Sequence, residues 1–292
     1  GLVYVTKNGG NNWQLISKSL PQNLWVSRVI ASMYDTGTVY VSLNGYRWDD
    51  FAPYLYRSTN YGKTWGKLGK GLPFEPINVV REDPVNRNII YVGTDHGIYV
   101  SLDAGKNFMP LFNGMPQVPV HDLVVQPRNK DLIVGTHGRS IYIANVNYIE
   151  QLTPKLLAEK VHLFPISNIA YNKNWGNKNY TWGKPFEPKM QLVFYSSSNS
   201  KATIRIFTVN NKELKTIHVS SDHGLNFLDY DLTVDSNKVD FYQKFINSKL
   251  KNNNKYEFNK KDTGKTYLHP GRYKVVIEID GRQVSRKFEI KK

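Results

Sequence analysis

The chain has 292 residues, no cysteine and a formal net charge of +15. Without cysteine it can form neither disulfide bonds nor cysteine-ligated metal sites, and no segment reaches the roughly 18 apolar residues of a membrane-spanning helix. Residues 1–150 hold 14 Lys and Arg against 11 Asp and Glu, whereas residues 151–292 hold 25 against 13. Because the lysines are scattered and match no nucleic-acid-binding motif, a solvated basic surface is favoured over binding to nucleic acid or another anionic surface.

An eight-residue phrase occurs three times, at 6–13, 58–65 and 101–108, each time after a short apolar run. Its pattern is hydroxyl, any residue, Asp or Asn, any residue, Gly, any residue, Thr or Asn, aromatic. The Asp or Asn side chain can accept hydrogen bonds from backbone N–H groups, the Gly permits a positive φ, and the aromatic can be buried between neighbouring sheets. We therefore predict three structural turns, held by Asn8, Gly10, Trp13, Asn60, Gly62, Trp65, Asp103, Gly105 and Phe108.

The strand pattern around these turns predicts the blades of a β-propeller. The aromatic residues that end the phrases are 52 and 43 residues apart, near the 40–50-residue period of four-stranded blades. Apolar, β-branched runs separated by Gly, Pro and Asn indicate the following strands: 29–33, 39–43 and 54–57, with a long excursion at 44–53; 77–81, 89–93, 98–101 and 108–111; then 123–125, 132–135 and 140–143. Such a set is too small to close a ring, so the chain is expected to be the C-terminal part of a longer polypeptide.

A different pattern begins after the last of these strands. Short strands from residue 190 onwards, with turn signals between them, predict an immunoglobulin-like β-sandwich. Helical spacing of apolar residues at 239–246 indicates a short helix. The predicted fold is thus all-β, with propeller blades at 1–148, a connecting segment at 149–184, and a sandwich at 185–292 that carries a Lys/Asn-rich insertion at 234–267.

The order of motifs resembles a known family. The repeated phrase is similar to the Asp-box of bacterial-neuraminidase (BNR) repeats, found in sialidases and sortilin-like receptors. The sequences at 81–84, 93–97 and 135–139, followed by Gly-Leu-Asn at 224–226 and Tyr-Asp-Leu at 230–232, resemble the end of large bacterial BNR-repeat, sortilin-like (VPS10-like) proteins labelled glycosyl hydrolases. There the last phrase usually has Trp where Tyr230 stands, and Asn-Pro-Pro-x-Gly where 184–188 stands. The resemblance implies an extracellular, cell-surface or periplasmic bacterial protein.

The blade pattern also predicts where a ligand binds. Turns between the second and third strands of each blade lie on the face opposite the repeated phrases, and loops on a rigid scaffold are where function concentrates. The candidate residues on this face are Arg47, Trp48, Asp49, Asp50, Tyr54, Asp95, His96, His137 and Arg139. For His137 and Arg139, ties to neighbouring turns are favoured over ligand contact. No His, Asp or Glu set has transition-metal spacing, so neither a metal nor a cofactor is predicted.

Three functions are compatible with these residues. The favoured one is a non-catalytic binding or scaffolding module that grips protein or glycan, because Tyr, Trp and Arg are common interface anchors. The alternative is a sialidase-like or xyloglucanase-like glycoside hydrolase, with Asp49, Asp50 or Asp95 as acid and base and most of its site in missing blades; such carboxylates stand about 5–9.5 Å apart. The third is an anionic-surface or nucleic-acid binder. The expected partners are the remaining blades, a protein or glycan ligand and a cell-envelope complex, with no nucleic acid and no membrane span.

Overall fold

The computed structural model describes residues 1–111, 114–249, 257–258 and 261–292. The chain is built almost entirely of β-strands and divides into two compact units, Gly1–Pro154 and Lys155–Lys292. This confirms the predicted all-β class. No helix among the described residues is both long enough and apolar enough to cross a membrane.

The first unit consists of consecutive antiparallel sheets in which sequence neighbours pair. The strands are β1 (Tyr4–Val5) and β2 (Gln14–Leu15); β3 (Trp25–Ala31), β4 (Val39–Gly45), β5 (Asp50–Ser58) and β6 (Gly66–Lys67); β7 (Ile77–Glu82), β8 (Ile90–Thr94), β9 (Gly97–Ser101) and β10 (Met109–Pro110); β11 (Val120–Gln126), β12 (Asp131–Thr136) and β13 (Ile141–Asn145). Two sheets have four strands in the order of the sequence, as propeller blades do. The predicted partial propeller is therefore present.

Apolar side chains between successive sheets form the core of this unit. One cluster includes Val3 and Ile16 with Val41 and Leu43 of β4. The next joins Tyr40 and Leu55 of one sheet to residues of the following sheet, among them Ile77, Val80, Ile90, Val92 and Phe108. The first strands β3, β7 and β11 contact one another in series. Each sheet is thus stabilised by burial against its neighbour rather than alone.

The three repeated turns are held by the same hydrogen bonds. In the second, Gly62 N donates to Ser58 Oγ at 2.9 Å and Thr64 N donates to Asn60 Oδ1 at 2.9 Å. The equivalent bonds recur in the first turn, on Thr6 and Asn8, and in the third, on Ser101 and Asp103. The turn glycines have φ of 97°, 79° and 87°, which confirms the positive φ predicted for them.

The predicted burial of the three turn aromatics is correct in one case and wrong in another. Phe108 is buried in the cluster between two sheets, and Trp65 is half-buried with its indole N–H bonded to Ile16 O at 2.8 Å. Trp13, however, is 61% exposed. The physical reason is positional: Trp65 and Phe108 lie against the preceding sheet, whereas the described residues place no sheet before β1.

The predicted long excursion at 44–53 is also wrong. β4 continues to Gly45, a 3-10 helix spans Tyr46–Trp48, and β5 already begins at Asp50. The turn is tight because Asp49 adopts the left-handed conformation (φ 57°), which Asp tolerates better than most residues. Asp50 lies opposite Gly45 in the ladder, so the segment is a hairpin.

The second unit is a sandwich of two sheets around one core. The helix α1 (Asn147–Glu150) still belongs to the first unit, and α2 (Pro154–Leu157) lies at the boundary between the two units. The elements that follow are β14 (Val161–Leu163), β15 (Ile169–Ala170), β16 (Met190–Ser196), β17 (Ser200–Thr208), β18 (Glu213–Ser221), β19 (Gly224–Tyr230), α3 (Val239–Asn247), β20 (Gly271–Ile279) and β21 (Arg282–Lys291). The sheet orders are β14-β16-β19 and β15-β21-β20-β17-β18. Residues of both sheets share one apolar cluster. The immunoglobulin-like assignment and the domain boundaries at 148 and 184 stay predictions.

The predicted helix in the insertion is confirmed as α3. It turns Tyr242, Phe245 and Ile246 into the core of the sandwich, and Tyr242 Oη bonds Tyr273 Oη at 2.6 Å. Of the predicted Lys/Asn-rich insertion at 234–267, residues 250–256 and 259–260 lie outside the described residues.

Candidate functional site

The candidate site is the end of the first unit's sheets at which the second and third strands of each sheet meet. The β4–β5, β8–β9 and β12–β13 turns all lie there. Antiparallel strands reverse at each turn, so the repeated turns lie at the opposite end. We call the first end the ligand face. Of the nine candidate residues, Tyr54 lies farther along β5. The other eight lie in or beside the turns of this face: Arg47, Trp48, Asp49, Asp50, Asp95, His96, His137 and Arg139.

Two tryptophans and an arginine form an exposed cluster on the ligand face. The Arg47 guanidinium carbon lies 4.1 Å from the centroid of the Trp25 ring. Trp48 meets Trp25 edge to face, with centroids 6.0 Å apart and an interplanar angle of 81°. Trp25 and Trp48 are nevertheless 46% and 54% exposed. This set, the Trp25 cluster, is an amphipathic surface in which a cation and two π faces are already positioned before any ligand binds.

The hairpin before β5 positions this cluster. Tyr46 N donates to Asn44 Oδ1 at 3.0 Å, and Asp49 N donates to Tyr46 O at 3.2 Å. These bonds close the single turn of 3-10 helix that carries Arg47 and Trp48. Trp25 opens β3 and lies opposite Asn44 in the ladder. The hairpin's hydrogen bonds, one of them to the Asn44 side chain, and the pairing of β3 with β4 therefore hold all three members of the cluster, and Arg47 and Trp48 are adjacent in sequence.

The carboxylate of Asp50 braces the start of β5. Asp50 Oδ1 accepts a hydrogen bond from Ala52 N at 3.1 Å, and Oδ2 accepts one from Tyr54 Oη at 2.8 Å. The second bond raises the pKa of the Tyr54 phenol, because the bond favours its protonated form. Both oxygens of Asp50 thus have partners within the same strand.

A relay of side-chain amides joins Asp95 to the neighbouring sheet. Asn44 Nδ2 donates to Asn78 Oδ1 at 3.1 Å, and Asn78 Nδ2 donates to Asp95 Oδ1 at 2.8 Å. Beside it, His96 N donates to Glu75 Oε2 at 3.2 Å, and His96 Nδ1 lies 3.2 Å from Glu75 Oε1. These bonds tie the β8–β9 turn to the connection that precedes β7. They also link Asp95, through Asn78, to Asn44 in the hairpin of the preceding sheet.

Charged residues of the three first strands converge around Asp122. Its Oδ1 lies 2.9 Å from Arg28 Nη2 of β3 and 3.4 Å from Arg81 Nη2 of β7. Arg28 Nη2 also donates to His121 O at 3.3 Å, and the His121 ring lies 5.3 Å from that of His137. One carboxylate thus neutralises part of two guanidinium charges and links strands that are 94 residues apart.

His137 and Arg139 lie in the last of these turns. His137 N donates to Pro119 O at 2.9 Å, so the tie to a neighbouring carbonyl predicted for His137 is formed by its backbone. Its ring packs on His121 instead. Arg139 is exposed.

Several residues of the ligand face were missed by sequence reasoning. Trp25 was missed because β3 begins at residue 25 and not at 29. Asn78 lies inside the predicted strand 77–81, which the pattern marked only as an apolar run, and Asp122 lies just before the predicted strand 123–125, because β11 begins at Val120. A polar residue within an apolar first strand is the signal that could have found them, since buried polar groups require partners.

No metal centre is formed in the described ranges: no three His, Asp or Glu side chains there are grouped so that they could hold an ion.

Comparisons with known proteins give structural similarities only. No protein-family model matches the sequence, and no curated protein matches it. Among solved structures, the chain is similar to the extracellular domain of a hybrid two-component system of B. thetaiotaomicron, with 12% identity and a TM-score of 0.31 over 90% of this chain and 30% of that one. It is similar to an ancestral GH74 enzyme, with 13% identity and a TM-score of 0.40 over 79% of this chain and 30% of that one.

A third similarity is to YCF48 bound to D1 peptide, with 12% identity and a TM-score of 0.33 over 74% of this chain and 62% of that one. The chain spans less than a third of the length of the first two structures and less than two thirds of the third.

Proposed function

We propose that the chain is part of a non-catalytic binding or scaffolding module of a secreted or cell-surface bacterial protein, which grips protein or glycan through the ligand face. The observation that carries this proposal is the Trp25 cluster. Exposed apolar rings cost free energy in water, and large solvent-facing aromatics next to an arginine are typical of interaction sites. In this cluster the side chains are already ordered, so a ligand would meet a surface that loses little entropy on binding.

The same face lends little support to acid–base catalysis. A glycosidase needs two carboxyl groups across a sugar with room for a proton transfer. Here Asp50 bonds Ala52 and Tyr54, and Asp95 bonds Asn78. These hydrogen bonds favour a structural role for both carboxylates over an acid–base role, which agrees with the proposed binding module.

A binding module of this kind would work together with further blades, which we propose as its first partner. The internal repeat supports this. Trp65 and Gly62 of the second turn lie against Ile16, whereas the equivalent Trp13 is exposed and the position of a Cβ on Gly10 meets only Trp13 within 4 Å. A preceding sheet would cover Trp13 and Gly10 in the way that the region around Ile16 covers Trp65 and Gly62.

The last sheet of the first unit, β11-β12-β13, gives a second argument for further blades. β5 and β9 each pair with a short fourth strand, β6 and β10. In the described part of the chain β13 pairs only with β12, and its Ile141 and Ile143 are exposed. Hydrogen exchange tests this proposal: the β13 amides should exchange fast in the isolated chain and slowly in the protein isolated from its native cells. Fast exchange in both would contradict it.

Substitutions in the Trp25 cluster test the binding function. We would probe a glycan array and a displayed random-peptide library with the chain, with Trp48→Ala and with Arg47→Ala. Bound probes should be lost or weakened about tenfold or more by either substitution, as for interface anchors. Met33→Ala, an exposed side chain just after the far end of β3, is the control and should bind normally.

The hydrolase alternative is separated by a turnover assay on xyloglucan and on sialylated glycans. No turnover is expected. Turnover that disappears in Asp50→Asn or Asp95→Asn would contradict the proposal, as would probes whose binding is unaffected by both cluster substitutions.

A further inference from the structure

A loop of the second unit exposes three aromatic side chains to solvent. Residues 177–186, which we call the aromatic loop, contain Tyr180, Trp182 and Phe186, all of them exposed, and Trp182 is 88% exposed. Large apolar side chains with so much contact with water are unusual in a folded domain and mark interaction sites. The ligand face consists of residues of the first unit alone, so this loop of the second unit requires an explanation of its own.

The two ends of the aromatic loop are joined by backbone hydrogen bonds. Gly176 N donates to Phe186 O at 2.7 Å, and Phe186 N donates to Asn177 O at 2.9 Å. Lys178 N donates to Asp262 Oδ2 at 2.7 Å. These bonds hold the base of the loop as a hairpin does.

The core of the sandwich anchors the same base. Trp175, immediately before the loop, is buried and packs near Tyr267. Gly176 has a φ of 78°, and a Cβ there would lie 2.4 Å from the Tyr267 ring. Only glycine fits this position, so the chain leaves the core along a defined path.

At the tip, two rings lie nearly parallel. Gly183 N donates to Tyr180 O at 2.9 Å, and the rings of Tyr180 and Trp182 are 5.9 Å apart with an interplanar angle of 25°. At that centroid distance the rings are offset and cannot cover each other face to face. Each ring therefore keeps its outer face open, and Trp182 is the more exposed of the two residues.

The polar side chains of the loop fit a sugar chain. Asn177 and Asn179 precede Tyr180, and Thr181 lies between Tyr180 and Trp182; they offer amide and hydroxyl groups, which can both donate and accept hydrogen bonds. Lys178 and Lys184 are exposed on the same loop, and residues 177–186 contain no Asp or Glu. Hydroxyl groups and negative charges would therefore both find partners beside the rings.

We propose that the aromatic loop is a binding site for an acidic polysaccharide. The axial C–H groups of a sugar ring lie on the open face of Trp182, where the negative π face attracts them. Uronate or similar acidic groups pair with Lys178 and Lys184. A lipid surface is disfavoured because the loop has no Leu, Ile, Val or Met and would have to bury its amide groups without partners.

Binding to polygalacturonate, with neutral dextran for comparison, tests this site in the full chain. Because a chain of net charge +15 attracts polyanions generally, the decisive variant is Trp182→Ala, which leaves the charge unchanged. It should weaken polygalacturonate binding about tenfold or more without lowering the thermal unfolding temperature. Phe241→Ala, another exposed aromatic of the same unit, should bind as the unaltered chain does.

The charge contribution has its own matched pair. The control is the double variant Lys212→Glu/Lys287→Glu, which changes the net charge equally at exposed sites elsewhere in the unit. Lys178→Glu/Lys184→Glu should bind polygalacturonate about tenfold or more weaker than this control does. Trp48→Ala should leave this binding intact, so failure here is distinguishable from failure of the ligand face. The proposal is overturned if Trp182→Ala binds polygalacturonate normally, if dextran binds equally well, or if Trp182→Ala affects only phosphatidylglycerol vesicles or oligothymidine.

Discussion

The indole N–H of Trp65 donates a 2.8 Å hydrogen bond to the backbone carbonyl of Ile16, 49 residues earlier in the chain. This bond ties the second repeated turn to the preceding sheet. It shows that the aromatic of the phrase acts between sheets, with both an apolar surface and a polar tip. The first turn contains the same residue type, Trp13, without such a neighbour, so the two positions can be compared within one molecule.

Replacing the indole by a phenyl ring tests this contact. Trp65→Phe leaves Ile16 O without this donor and also removes part of the packed ring, so it should lower the free energy of unfolding by about 1–3 kcal/mol. Trp13→Phe is the matched control and should change it little, because Trp13 is exposed. Urea denaturation followed by circular dichroism measures both, and equal losses would show that the Ile16 bond adds nothing.

The glycines of the repeated turns separate backbone strain from packing. Gly62 has a φ of 79°, and a Cβ there would lie 2.5 Å from Ile16 Cβ. Gly62→Ala should therefore destabilise the chain by about 2–4 kcal/mol, through left-handed strain and overpacking together.

Gly10→Ala supplies the comparison in the same denaturation experiment. Gly10 has a φ of 97°, but no atoms of another sheet lie near its Cβ position. Gly10→Ala should therefore lower the free energy of unfolding by about 1 kcal/mol, from backbone strain alone. A Gly62 variant that is no less stable than the Gly10 variant would contradict close packing at Ile16.

The buried carboxyl of Glu150 should make stability depend on pH. Burial, and secondarily the nearby charge of Asp83, raise the pKa of Glu150 above its usual value, while the ammonium of Lys130 at 3.4 Å opposes the shift. The folded state then holds a proton that the unfolded state has released, so this group's contribution falls as the pH rises from the ordinary Glu pKa through the raised one.

Glu150→Gln removes this ionisation. Relative to the unaltered chain, the variant should gain stability as the pH rises through that window and keep the gain at higher pH. Thermal unfolding across a pH series measures the difference, with the exposed Asp49→Asn as control. A difference that does not change with pH would show that Glu150 titrates as an ordinary carboxyl.

A closed network of hydrogen bonds holds α3 in the sandwich. His269 N donates to Tyr242 Oη at 2.7 Å, Tyr242 Oη bonds Tyr273 Oη at 2.6 Å, and Tyr273 Oη donates to His269 O at 2.6 Å. Tyr242→Phe leaves the His269 N–H without this acceptor, and should cost about 1–3 kcal/mol of stability. Faster hydrogen exchange in 239–247 and in the segment around His269 would accompany the loss; unchanged exchange in both places would contradict the network.

Local chemistry made the turns and strands predictable. Hydroxyl, Asp or Asn, and Gly at defined spacing specify the same hydrogen bonds wherever they occur, and all three repeated turns formed them. Apolar runs between Gly, Pro and Asn located the strands to within a few residues. The error at 44–53 has a local origin as well: nothing in the spacing shows that Asp49 adopts a left-handed conformation and closes a tight hairpin.

The sequence by itself determined the all-β class, the blade period and the repeated turns, because these depend on residues close together in the chain. Only the tertiary structure decided which aromatics are covered and which charges meet. Trp13, Trp65 and Phe108 occupy equivalent positions in one phrase, yet their burial differs because it depends on a neighbouring sheet. Likewise Arg28 and Asp122 are 94 residues apart and meet only because the first strands pack in series. Contacts at that separation are set by packing, which no local pattern encodes.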